Sequence, residues 1–144
     1  MKKIKINKSV VASFIIMFVL IFIKAIINAI YFDLKDIEKD TIDGIKTFPV
    51  KMGKKATINI LHSLNIIAFI PLVMGIYLNI INHCAIALLV FFFYGYYYIN
   101  KAKKASSNEL ESTAHTLVDS EFILWALLLL AFNFIILPHL STIL

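Results

Sequence analysis

The chain has 144 residues, 60% of them hydrophobic, and its mean hydropathy of +0.86 excludes a soluble domain of this size. Its net charge of +5 comes from lysine alone, so a bound anion would meet flexible point charges rather than bidentate forks. The single cysteine, Cys84, excludes an internal disulfide and reads as a small apolar residue. His62, His83, His115 and His139 share no ligand-like spacing, which argues against a zinc or haem site.

Charged residues are confined to 1–8, 33–55 and 101–121, with Lys24 as the exception. The stretches between them are long enough to cross a bilayer, which takes about 20 helical residues. The pattern predicts an all-α integral membrane protein with one domain over 1–144 and four spans, at about 9–32, 56–80, 83–100 and 121–144. Loops 33–55 and 101–120 join them, and no repeat or Gly/Pro-rich linker divides the chain. Because the lysines flank spans rather than forming a patch on a folded domain, a nucleic-acid partner is excluded.

The first span is too long for a signal peptide and lacks a small-residue cleavage site. Within it, Lys24, Asn28, Tyr31 and Lys35 recur at helical spacing and form a polar stripe. The stripe either lines a substrate cavity or is structural, through a snorkelling lysine or an interhelical contact. Its phase, roughly 100–180° from the carboxylates that follow, weighs toward the structural reading.

Directly after this span, Asp33, Asp36, Glu38, Asp40 and Asp43 fall within eleven residues. Carboxylates at a membrane boundary are costly to hold together without cations. On an ideal helix Asp33, Asp36 and Asp40 share an arc of roughly 60°, one side that could face a divalent ion. The competing reading is a solvated connector in which these acids and six lysines form i,i+4 pairs.

A tight turn over 79–83 leads from the second span into the third. The third carries the aromatic block 91–98, either a tunnel lining or, more in keeping with its tyrosines near Lys101, an interfacial belt. Pro71 and Pro138 are expected to kink their spans. Residues 101–121 read as a loop holding a short amphipathic helix. Loops 33–55 and 101–120 together hold nine lysines against four at the N-terminus, which places both loops in the cytoplasm of a multi-pass cell-membrane protein. The four N-terminal lysines argue for the opposite orientation.

The acids, followed by Gly44-Ile45-Lys46-Thr47-Phe48-Pro49-Val50 and Gly53-Lys54, resemble the second aspartate-rich motif of the UbiA superfamily of intramembrane prenyltransferases. The resemblance implies a nine-helix fold, of which this chain would supply the last four helices. It further implies Mg2+ held by Asp36, Asp40 and Asp33 through a prenyl diphosphate, with Lys46 and Lys35 as diphosphate contacts and Lys54 or Lys55 within further reach. Lys24, Asn28 and Tyr31 would line the cavity.

Two departures from that family pattern stand out. Lys39 replaces the usual glycine before the last aspartate, and the first motif, Asn-Asp-x-x-Asp-x-x-x-Asp, is absent from the sequence. Glu109, Glu111, Asp119 and Glu121 are too irregular to be a second copy. Ionising an allylic diphosphate calls for metal-holding carboxylates on opposing walls, and one motif supplies one wall. The expected function is therefore the C-terminal part of a UbiA-type prenyltransferase that transfers a prenyl group to an aromatic or lipid acceptor. It would be inactive without an N-terminal half, separately encoded or lost from the gene. The four lysines ahead of the first span are expected to mark a genuine separate start. The alternative is a non-catalytic membrane remnant acting as a binding or scaffold subunit.

Overall fold

The computed structural model describes residues 8–131 and Phe134. Lys2, Lys3, Lys5, Pro138, His139 and half of the fourth expected span lie outside the described residues. Every regular element among the described residues is helical, and the chain is an all-α membrane protein.

Helix α1 (Lys8–Lys35) is 28 residues long, about 42 Å at 1.5 Å per residue, which exceeds a hydrocarbon core of about 30 Å. One side buries Leu20, Lys24, Ile27, Tyr31 and Leu34. The opposite side exposes Phe14, Phe18 and Phe22, whose rings stack in succession at 6.5 and 5.9 Å. Lipid tolerates that apolar face, and packing selects the inner one.

After a break at Asp36 come two short helices, α2 (Ile37–Ile42) and α3 (Phe48–Met52). Gly44 ends α2 with φ +71°: its N–H donates to the Thr41 carbonyl and that of Ile45 to Asp40, the paired bonds of a Schellman cap. Pro49, in the first turn of α3, is buried. The Gly-Ile-Lys-Thr-x-Pro segment is thus a turning device that returns the chain to the bundle.

Helix α4 (Lys54–Tyr77) runs along α1 and continues through Pro71. The chain reverses at 78–82, where Asn79 takes φ +55°. A 3₁₀ segment (His83–Leu89) then feeds α5 (Val90–Lys101). Placed end to end, these seven and twelve residues reach about 32 Å at their respective rises, enough for a bilayer. Three longer stretches meet the requirements of a span by length and apolarity: α1, α4 and 107–131.

The segment after 101, expected as a loop holding a short helix, is helical over 107–131. Helix α6 (Ser107–Thr113), opened by a Ser106–Glu109 capping box, continues through a π turn (Ala114–Val118) into α7 (Glu121–Ala131). The π turn shifts the helical register and offers two carbonyls sideways. Tyr94 Oη donates to Leu117 O at 3.0 Å, and Asn28 Nδ2 donates to Val118 O at 3.4 Å.

The core falls into two apolar clusters, one around Tyr31, Leu61, Tyr98 and Val118, the other around Leu20, Ala68, Phe91 and Trp125. Each of the four segments α1, α4, 83–101 and 107–131 contributes to both. Along each one, a polar or minimal residue lies between its two contributions: Lys24, Asn65, Gly95 and Glu121. The bundle is therefore crossed by a single polar layer.

Candidate functional site

The acidic segment occupies the junction of α1 and α2. Asp36, with φ −93° and ψ 5°, breaks the ideal helix that the sequence suggests. Even so, Asp33 lies within range of the charges of both Asp40 and Asp36. Lys35 Nζ reaches both Asp36 oxygens, at 3.0 and 3.1 Å.

Asp36, Lys35, Lys39 and Asp43 form one wall of a polar cleft of about 330 Å³. Ser107, Asn108 and Glu111 of α6 form the other. The sequence suggests a short helix here, and Ser106-x-x-Glu109 signals its start, but nothing local shows that it faces the acids. The amide of Asn108 adds donors and the carboxylate of Glu111 an opposing charge. Asp33 and Asp40 stand beside this cleft rather than on its lining.

The lysines divide between two places. Lys35 lines the cleft, whereas Lys46 is exposed on the connection 45–47. Lys54 Nζ donates to the Ala105 carbonyl at 2.7 Å, and Lys54 and Lys55 border a different cleft with Lys103.

Mg2+ is usually held by one or two carboxylates together with substrate phosphate oxygens rather than by an all-protein cage. Among the described residues no three His, Cys, Asp or Glu side chains converge closely enough to cage an ion. Asp33, Asp36 and Asp40 would suit the phosphate-bridged arrangement, and a cation held there would share Asp36 with Lys35.

Lys24, Asn28 and Tyr31 meet other helices in place of an open cavity. Lys24 Nζ lies 2.7 Å from Glu121 Oε1, with both side chains fully buried. It also donates to Asn65 Oδ1 and Tyr98 Oη, each at 3.3 Å, and Tyr98 Oη donates to Glu121 Oε2 at 3.1 Å. Asn65 Nδ2 closes the set on Phe92 O at 3.0 Å. Tyr31 Oη reaches the Tyr98 carbonyl at 3.5 Å. The interhelical reading of Lys24 matches these contacts, and Glu121 is the partner that the sequence left unassigned.

The aromatic block divides by face. Phe91 and Tyr98 are buried, while Phe93, Tyr96 and Tyr97 point outward. A belt describes only the second group.

The sequence model of the UbiA prenyltransferase family matches residues 4–118, from before α1 to the end of the π turn. The chain belongs to the UbiA prenyltransferase family. No curated protein and no solved structure matches it. The matched region contains the acidic junction and both walls of the polar cleft, and membership supports a prenyltransferase-type function in general.

Proposed function

We propose that the junction of α1 and α2 is the diphosphate end of a UbiA-type prenyl-transfer site. Asp36, Asp40 and Asp33 would hold Mg2+ through the donor's diphosphate, and Lys35 and Lys46 would bind its oxygens. The observation that carries this reading is that Asp33 feels the charges of both Asp40 and Asp36 beside a lysine-bearing polar cleft, inside the family match. When bound, Mg2+ supplies charge stabilisation for the departing diphosphate. The chain's own residues orient that group and hold it at the end of an apolar bundle.

The acceptor is an aromatic or lipid molecule, and the acid-bearing loop faces the cytoplasm of a multi-pass cell-membrane protein. A second carboxylate wall of the Asn-Asp-x-x-Asp type, absent from this sequence, would come from an N-terminal half. Turnover therefore depends on that half, and this chain alone binds without catalysing. The Lys35–Asp36 pair favours a second reading, a non-catalytic membrane subunit in which Asp36 is neutralised within the chain.

Membranes carrying the full chain should retain a radiolabelled prenyl diphosphate in Mg2+ and release it in EDTA. Asp36→Ala should lower retention about tenfold, the scale of one lost charge-assisted contact. Equal retention by wild type and Asp36→Ala would remove the metal role and leave the subunit reading.

A further inference from the structure

A second run of clefts follows the outer side of α4 and α5, apart from the acids. At its lysine-bearing end, Lys54, Lys55, Asn59 and Lys103 border a space of about 490 Å³. Next comes a cleft of about 240 Å³ between His62 and Tyr96, whose rings are 5.1 Å apart. It shares Ile66, Phe92 and Phe93 with an apolar cleft of about 380 Å³ that extends to Val73 and Met74. Residues 55, 59, 62, 66, 70 and 73 recur every three or four positions, so one face of α4 floors the whole run. Asn59 at the basic end and His62 in the next cleft are three residues apart on that face, which sets the two clefts in succession along α4.

We propose that this groove binds an anionic phospholipid of the bilayer, with its phosphate at Lys55, Lys103 and Asn59 and one acyl chain laid from His62 to Met74. Charge argues for the head. Lys54 is spent on the Ala105 carbonyl, and no ion pair among the described residues engages Lys55 or Lys103. The nearby acid that acts on Lys54, Glu109, is held by Ser106. Length argues for the tail. His62 to Met74 rises about 18 Å, close to one leaflet's share, about 15 Å, of the hydrocarbon core. A soluble anion makes no use of the apolar part. A second copy packed by two-fold symmetry in the membrane would set Lys55 and Lys103 against themselves. Basic pockets between spanning helices are a recurrent seat for anionic headgroups.

The test is native mass spectrometry of the full chain in neutral detergent with phosphatidylglycerol or phosphatidylcholine. Phosphatidylglycerol should bind about tenfold better, and K55Q/K103Q should lower its binding about 25-fold, fivefold for each lysine near the surface. Ile70→Trp, which fills the apolar end, should weaken both lipids without changing charge. K101Q/K104Q, outside the groove, should leave binding intact. Equal binding of the two lipids, or an equal loss from K101Q/K104Q, would overturn the proposal. So would a dimer that forms without lipid and dissociates in Ile70→Trp. Displacement of phosphatidylglycerol by geranylgeranyl diphosphate would also overturn it, because the groove would then be the seat of the prenyl donor.

Discussion

Replacing Glu121 with glutamine leaves the Lys24 ammonium buried without a counter-charge. At the 2.7 Å separation seen here, the Coulomb attraction is about 6 kcal/mol at an effective dielectric of 20. Much of that offsets the cost of taking both charges out of water. Removing one partner therefore exposes the other's desolvation penalty, about 3–5 kcal/mol. The retained amide oxygen, Asn65 and Tyr98 hold Glu121→Gln to the low end, about 3 kcal/mol. Lys24→Met strands the carboxylate and should cost about as much. The double variant removes both charges and keeps the volume, so its cost should be below that of either single change. Unfolding free energies by steric trapping in bicelles would complete the cycle, with a coupling of at least about 2 kcal/mol expected. Single costs that add to within about 0.5 kcal/mol would refute the buried pair as a coupled unit.

Gly95→Ala tests the room left for the same layer, because a Cβ there would lie 2.6 Å from Asn65 Oδ1 and 3.0 Å from Lys24 Nζ. It should cost about 1–3 kcal/mol by the same trapping measurement. Inserting one alanine after Asp119, beyond the π turn, rotates the following helix by about 100°. Glu121 would swing away from Lys24, and a thermal melt should fall at least as far as that of Glu121→Gln. At Gly44 nothing lies within 4 Å of an added Cβ, so Gly44→Ala acts through its positive φ alone. It should cost about 1–2 kcal/mol and reduce Mg2+-dependent prenyl diphosphate retention without altering Asp36.

The fold class was legible because the constraint is chemical: uncharged stretches of this length leave a backbone no alternative to spanning helices. The acids and the Gly44–Pro49 segment were legible for a related reason. Gly44 needs its positive φ and Pro49 its place in a first helical turn, so both are local signals. The partner of Lys24 was not legible. Glu121 lies 97 residues away in the chain, and helical periodicity reports which face a residue occupies, not what faces it. One clue was available, since Lys24 and Glu121 both border or interrupt apolar stretches where a lone charge is costly. The π turn is similarly hidden, because residues 114–118 carry no Gly or Pro to announce it. The break at Asp36 escaped notice because an ideal helix was the simplest frame for acid spacing.

The polar layer and the polar cleft are mechanically linked through two helices. Helix α1 carries Lys24 and, eleven residues further on, ends at Lys35 on the cleft beside Asp36. The rod from Ser107 to Ala131 carries Glu111 on the cleft and, ten residues further on, Glu121 in the layer. Between those points the rod is tied by Tyr94 to Leu117 and by Asn28 to Val118. The separation of the two cleft walls is therefore governed about 15–18 Å away, by the Lys24–Glu121 contact and the π turn that aims Glu121 at it. A buried ion pair is weak evidence for stability, and its best-attested use is to fix register. Here the register it fixes decides which face of α6 is presented to the carboxylates. Loss of the pair should consequently weaken diphosphate retention in variants that still fold, even though neither charge touches the cleft.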